Sequence, residues 1–217
     1  MKYLLFTLLF IFLTNWQVVI SVFKGSFFSK TKSLTHKNNW LFKVLKQKTG
    51  IEFKFRKIIS DSYNGFMPIY PPNTIFLSSK IWADFNKDEL QWVALHEAGH
   101  RVYRHGLRYI PISLGFIAFG ILILYYHNNI ISNWIVLAII LTPIYQQIVR
   151  QFENQADKYA AINMDNPMGM ITANDKFKKV SRSLIYNNDL LRFLFTPHLS
   201  WEERKIVAET EIEKRKR

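Results

Sequence analysis

Three of the six histidines of the chain lie within ten positions, in the segment DELQWVALHEAGHRVYRHG of residues 88–106. His96 and His100 are four residues apart, one helical turn, so both imidazoles project from one face and can bind one metal ion. Glu97 lies beside them, where it can take a proton from a metal-bound water without binding the metal itself. The spacing predicts a hydrolytic site with one Zn²⁺ per chain. The alternative is a polar helix with solvated histidines.

A catalytic zinc needs a third protein ligand, and the segment RQFENQADKYAA of residues 150–161 offers one. Glu153 and Asp157 are four residues apart and share a face of a predicted helix. Glu153 is therefore the candidate third ligand, and Asp157 can accept a hydrogen bond from a ligating imidazole. The competing interpretation is a solvated acidic pair on a helix surface.

The composition restricts the classes of function. The chain has 217 residues and no cysteine, which excludes disulfides and thiolate zinc sites. Its formal net charge of +13 is a property that nucleic-acid-binding proteins share. We find no nucleic-acid-binding signature in the sequence, and basic residues that flank apolar segments are typical of the cytoplasmic side of membrane proteins. We expect a lipid bilayer as partner and no nucleic acid, and the oligomeric state stays open.

Three uncharged stretches have the length of membrane-spanning helices. They are Tyr3–Phe23, Tyr109–Tyr126 and Ile130–Val149, with 21, 18 and 20 residues, close to the roughly 20 that cross a bilayer. The first predicts an uncleaved anchor, because no small-residue cleavage site of a signal peptide follows it. The other two, joined by HNNIISN, predict a membrane hairpin that returns residues 150–157 to the side of HEAGH. Two buried core helices are the alternative for this pair.

The lysines and arginines near these stretches predict the orientation of the chain. Lys2 precedes the first stretch. The basic residues that follow it or flank the hairpin are Lys24, Lys30, Lys32, Lys37, Arg101, Arg104, Arg108, Arg150 and Lys158. All of these fall on one membrane face, so both polar regions are expected in the cytoplasm, in a multi-pass protein of the inner or plasma membrane. His105 is off the metal-binding spacing and is expected at the surface near the membrane interface.

Local patterns predict the elements that position the site. NNWLFKVLKQKTG predicts a helix that ends at its glycine, and IEFKFRKI and TIFLSS predict two strands. Asn86 and Glu89 form a capping box at the start of the helix that carries HEAGH, and Ser200 and Glu203 form another. Residues 146–217 are expected to be helical throughout. The predicted fold class is therefore α+β and mostly helical.

HEAGH followed by ENQAD after a membrane hairpin resembles the HtpX-type membrane zinc metallopeptidases, over roughly residues 65–205. The resemblance implies a zincin-like (gluzincin) core integrated with membrane-spanning helices. It also pairs TPHLSWEERK with a late His-Pro-Ser and Arg of the family, which implies that His198 stabilises the oxyanion and that Arg204 supports the site. Two departures are that Leu199 replaces the family's proline and that one apolar segment precedes the zinc motif where HtpX has two.

The combined expectation is a membrane-bound zinc endopeptidase that hydrolyses peptide bonds with Glu97 as general base. Its parts are an anchor (1–23), two halves of a catalytic domain (38–108 and 150–217) and the hairpin between them (109–149). Substrates are proteins or peptides. Damaged membrane proteins, a specific regulator and small peptides stay open, and the first would mean a role in membrane-protein quality control. TIFLSS is either an edge strand to which a peptide substrate adds or an ordinary buried strand.

Two other functions compete with this expectation. A site-2-type intramembrane protease would hold the zinc motif inside a membrane helix and use Asp165 as third ligand. Charges near the motif would then be costly in lipid; they are Asp84, Lys87, Asp88, Glu89, Arg101, Arg104 and Arg108. The other is a non-proteolytic zinc-binding membrane sensor or scaffold. Such a site has no need of a general base, so Glu97 favours the protease.

Overall fold

The computed structural model describes residues 31–33, 39–68, 72–126, 140–180 and 188–217. Along these residues the elements are β1 (Thr31–Ser33), α1 (Asn39–Thr49), β2 (Lys54–Ile58), β3 (Gly65–Phe66), β4 (Thr74–Ser78), α2 (Ser79–Asp84), α3 (Lys87–Val102), α4 (His105–Tyr126), α5 (Thr142–Asn163), α6 (Met168–Val180), α7 (Asp189–Phe195) and α8 (Trp201–Lys216). Helices dominate and one small sheet accompanies them, which confirms the predicted fold class.

The strands form one mixed sheet in the order β1-β2-β4-β3. β2 and β4 are parallel, with Phe55 opposite Ile75, whereas β1 and β3 run antiparallel to their neighbours. All five residues of β4 are buried, and β4 lies inside the sheet, paired with β2 along its whole length and with β3 at Phe76 and Leu77. TIFLSS is therefore an ordinary buried strand, and the hypothesis that it is the edge for substrate is wrong. The edge on the side of Glu97 is β3, since a carbon added to Gly65 would lie 3.8 Å from Glu97 Oε1.

Helix α3, which carries HEAGH, runs through the centre of the fold. It begins with the predicted capping box: the Glu89 N–H donates to Asn86 Oδ1 (3.0 Å), and the Asn86 N–H donates to Glu89 Oε2 (2.8 Å). Every residue from Glu89 to Gly99 is buried, so the helix contacts protein on all sides. After Val102 the chain reverses at Arg104, which has a left-handed φ of 54°, and α4 begins at the next residue.

The core surrounds α3, with the sheet, α5 and α6 contributing buried apolar side chains. Members from the four elements include Phe55, Ile75, Leu77, Val93, Leu95, Ala98, Ala160, Met170 and Ala173. Helices α3 and α5 approach closely at Gly99, where an added carbon would lie 3.2 Å from Ala156 Cα. Gly99 lies between the two zinc-motif histidines in sequence, and Ala156 lies between Glu153 and Asp157. The tight contact between these helices therefore brings the candidate ligands together.

Helix α4 is long and apolar enough over His105–Ile123 to cross a membrane, and 6% of this segment is buried. Within His105–Ile123 the large exposed apolar side chains are Leu107, Ile110, Leu114, Phe119 and Leu122. A core helix of a soluble protein would bury such side chains, so the core-helix alternative is disfavoured for this first arm of the hairpin. One flank of α4 packs on Tyr145 and Val149 of α5, where the Ser113 and Tyr145 hydroxyls are 3.0 Å apart.

The predicted anchor Tyr3–Phe23 lies outside the described residues, and so do residues 130–139 of the second hairpin arm. In the rest of that arm, residues 142–149 form the first part of α5. The domain boundaries predicted at 109 and 150 fall inside the continuous helices α4 and α5. Helix α5 therefore runs from the apolar region to Glu153 and Asp157 without a break, and a two-residue turn separates α4 from the ligand-bearing helix α3.

Candidate metal centre

The imidazoles of His96 and His100 meet the carboxylate of Glu153 where α3 packs on α5. The two Nε2 atoms are 3.3 Å apart, and each lies 3.5 Å from an oxygen of Glu153. Ligand atoms of a tetrahedral zinc site with bonds of about 2.0–2.1 Å are separated by roughly 3.3–3.4 Å. These three side chains, whose donor atoms all lie within 4.8 Å of one another, therefore fit a tetrahedral zinc ion.

The charge states of Glu153 and His100 also suit a cation. Burial opposes the ionisation of Glu153, but His198 and His100 outweigh it and hold the pKa of this carboxyl well below its usual range. Burial lowers the pKa of His100 to about 4, so its imidazole is neutral at physiological pH. Neutral imidazole and carboxylate are the forms that bind zinc.

A chain of polar contacts from α8 orients His96. Asp157 Oδ1 lies 2.8 Å from His96 Nδ1, and Arg204 donates its Nε–H to Asp157 Oδ2 at 2.9 Å. The Arg204 guanidinium also lies over the ring of Trp92, 5.5 Å from its centre. Burial opposes the charge on His96, but Asp157 and Glu153 raise its pKa to about 10, so a metal that binds here displaces a proton. The bond to Asp157 leaves His96 Nε2 facing the other donors.

Glu97 lies beside the donors and outside their set. Burial raises the pKa of its carboxyl to about 7, a value at which a carboxyl can both accept and return a proton. It lines a cleft of about 390 Å³ that also contains His96, His198 and Arg204. The aromatic residues that line this cleft are Tyr63, Trp92, Phe177 and Trp201. A substrate in the cleft would therefore lie against Glu97 and an apolar wall.

His198 reaches the site on the loop before α8. Its Nδ1 lies 2.9 Å from Glu153 Oε2, and Arg150 holds the loop by donating to the His198 carbonyl oxygen at 3.2 Å and to the Glu203 carboxylate. Sequence reasoning used Arg150 as an orientation signal and missed this structural role. The available signal was its position three residues before Glu153 on the same helix, which places both side chains near one face.

The expectation that His105 is a surface residue is wrong. Its side chain is buried, with Nδ1 2.9 Å from His100 Nδ1 and Nε2 3.0 Å from Gln155 Oε1. The expectation assumed that the helical spacing from His96 continues to residue 105. The left-handed conformation of Arg104 breaks that spacing and turns His105 back toward the site.

Asp165, the third ligand of the intramembrane alternative, is exposed and does not belong to the donor cluster. Its carboxylate accepts a hydrogen bond from Gln91 Nε2 at 3.0 Å and lies 3.3 Å from Lys48 Nζ. These partners belong to α3 and α1, on the flank of the core. The structure therefore brings Glu153, and not Asp165, to the two histidines.

Comparison with known proteins gives one family and one fold. The model of peptidase family M48 matches residues 34–206. The crystal structure of Ste24p from S. mikatae is similar, with a TM-score of 0.62 and 16% sequence identity, over 92% of this chain and 56% of Ste24p. The chain thus spans little more than half the length of that protein, and at this identity the likeness concerns the fold. Among curated proteins, none matches the chain significantly.

Proposed function

This chain belongs to peptidase family M48, and we propose that it is a membrane-bound zinc endopeptidase with Glu97 as general base. The family match agrees with the resemblance to HtpX-type enzymes in the sequence. The observation that carries the proposal is the cluster of donor atoms from His96, His100 and Glu153. The two Nε2 atoms are 3.3 Å apart, His96 Nε2 lies 3.5 Å from Glu153 Oε2, and His100 Nε2 lies 3.5 Å from Glu153 Oε1. Glu97 stands next to this cluster in an open cleft.

Each residue of the site has its own role in peptide hydrolysis. A zinc ion bound by the three donors would act as a Lewis acid that lowers the pKa of water to about 7. Glu97 takes the proton of the attacking water and returns it to the leaving amine, which the neutral range of its pKa permits. His198, on the same cleft, donates a hydrogen bond to the carbonyl oxygen of the substrate as negative charge develops there. Arg204 and Asp157 hold His96 in its ligating orientation.

The exposed apolar helix α4 supports a position in the membrane. It begins five residues after His100, so the metal centre would stand at the membrane surface, just outside the hydrocarbon layer. The basic residues that flank the predicted hairpin support a cytoplasmic position for this face. Unfolded segments of membrane proteins would then emerge next to the cleft. This position favours damaged membrane proteins as substrates, and membrane-protein quality control as the role.

The test is the metal dependence of cleavage by the full-length chain, purified in detergent or nanodiscs. Peptide bonds of an unfolded membrane-protein substrate should be cut, a chelator should stop cleavage, and added zinc should restore it where added magnesium does not. The metal content is measured in each sample. Undiminished cleavage by a sample shown to be metal-free would overturn the zinc mechanism.

A further inference from the structure

His105 is a buried histidine that the proposed chemistry does not use. Its two ring nitrogens both have polar partners, His100 at 2.9 Å and Gln155 at 3.0 Å. Its ring stacks on Phe152, with centres 4.7 Å apart, and on Tyr103, with centres 5.6 Å apart. Arg104, the residue immediately before His105, has a left-handed φ of 54°. This conformation costs free energy in a residue with a side chain. The surrounding structure therefore fixes this ring firmly in place.

The contacts of the ring have one consistent proton arrangement. His100 faces His96 and Glu153 with Nε2, so for metal binding Nε2 must keep its lone pair and the proton of the neutral ring must lie on Nδ1. The Nδ1–H of His100 then donates to Nδ1 of His105. His105 consequently carries its own proton on Nε2, which donates to Gln155 Oε1. Each of these two N–H donors then has an acceptor.

We infer that His105 is a positioning residue for the metal ligand His100, which it holds in the tautomer and ring orientation that bind through Nε2. The inference rests on the proposed function, because it concerns the same metal. Asp157 does the same for His96, so each ligating imidazole has its own partner on the side away from the metal. Such partners typically change metal affinity by about 10–100-fold.

Because of its position in the chain, His105 also links the start of α4 to the metal centre. His105 is the first residue of α4, the candidate membrane helix, and Gln155 belongs to α5 between Glu153 and Asp157. The hydrogen bonds from His100 to His105 and from His105 to Gln155 thus tie the start of α4 to both ligand-bearing helices. The orientation of His100 depends on how α4 leaves the catalytic region.

The test compares three substitutions of His105 and one control substitution by their dissociation constants for zinc, measured on the full-length chain by competition with a chromophoric chelator. The Oδ1 atom of asparagine can stand where His105 has Nδ1, so His105→Asn should stay within a few-fold of the wild type. His105→Gln is closer to histidine in volume but places its polar atoms near Nε2, so it should weaken binding about 10–100-fold, as should His105→Ala. Asn174→Ala removes a buried polar side chain whose amide donates to the Met170 carbonyl oxygen of the same helix, α6, and should leave the affinity unchanged.

The order of the variants decides the inference. If His105 only fills space, His105→Gln should bind zinc better than His105→Asn, and that order would overturn the positioning role. Equal affinity in all three variants and the wild type would overturn it too, while the proposed function would stand. A wild-type chain that binds no zinc would refute the proposed function itself. Should His105→Ala fail to fold, the comparison of asparagine with glutamine still decides.

Discussion

The carboxylate of Glu153 contacts three imidazoles, those of His96, His100 and His198. A buried carboxylate surrounded by imidazoles is stable as a metal ligand or as a partner of protonated histidine. With its pKa raised to about 10, His96 is such a protonated partner until a metal displaces its proton, whereas His100 is neutral and can bind a metal directly through Nε2. Asp157 differs, because its charge already has Arg204 as partner. The two acidic residues of one helix face therefore have separate tasks.

Substitution of the acidic residues separates these tasks. Glu153→Ala should lose zinc on purification, with affinity lowered more than about 100-fold, because a ligand is removed. Asp157→Ala should lower the affinity about 10–100-fold, the usual effect of losing the partner of a ligating imidazole. Asp165→Ala should bind zinc normally. Metal content and zinc affinity measure all three.

The opposite order would change the assignment. If Asp165→Ala empties the site while Glu153→Ala keeps its zinc, then Glu153 is not the third ligand. The intramembrane alternative would then regain its support.

Among individual residues, the sequence identifies those whose spacing is regular along one helix. His96 and His100 are found by a separation of four, and so are Glu153 and Asp157. His105 could not be placed, because a single left-handed residue, Arg104, redirects it. A positive φ in a residue other than glycine leaves little trace in a single sequence.

At the scale of the elements, the positions of the candidate ligands depend on the close packing of α3 against α5. Capping signals predicted the start of α3 and of α8 correctly, because a cap is a contact between residues three apart. The order of the strands was not predictable in the same way. β4 is interior because Gly65 and Phe66 pair with the edge of β4 that β2 does not cover. The local spacing of residues does not predict pairing between distant short segments.

Gly99→Ala tests the contact between the helices. The added carbon would lie 3.2 Å from the backbone of Ala156, so the two helices must move apart by a few tenths of an ångström. We expect a loss of about 1–3 kcal/mol in the free energy of unfolding and weaker zinc binding, because the donors of the two helices move apart. Chemical denaturation and zinc titration measure the two effects.

Gly115→Ala is the matched control for this substitution. Gly115 lies in α4 with no heavy atom within 4 Å of the added carbon, and alanine favours helix by about 0.5–1 kcal/mol over glycine. This variant should keep full zinc affinity. An equal loss of affinity in Gly99→Ala and Gly115→Ala would show that the contact with Ala156 does not position the ligands.

The whole molecule joins a catalytic region to an apolar helix without a flexible linker. The uncharged stretch from Tyr109 to Tyr126 predicted this helix, and its exposed apolar surface agrees with contact to lipid. The predicted topology has three spans, with the amino terminus outside and both polar regions in the cytoplasm. The spatial meeting of residues 96–100 with 150–157 agrees with the hairpin that the sequence predicts by its length and charge, although residues 127–139 of that hairpin lie outside the described part of the chain.

Reporter fusions test this topology. Fusions at Ser79 and after Arg217 should both report the cytoplasm, and a fusion at Asn129 should report the opposite side, because the basic residues flank the hairpin on one face. Reporters that are active on one side of the membrane only provide the measurement. Different locations for Ser79 and Arg217 would separate the two halves of the site and refute the topology.

The central claim is that Glu97 acts as general base beside a zinc ion, and one measurement tests it most directly. Glu97→Gln preserves the shape of the side chain and leaves His96, His100 and Glu153 intact. Zinc content and peptide cleavage are measured on the same purified sample of this variant and of the wild type. The variant should hold about one zinc per chain while its cleavage rate falls at least about 10²–10⁴-fold, the usual contribution of a general base. Cleavage at the wild-type rate by zinc-loaded Glu97→Gln would contradict the claim.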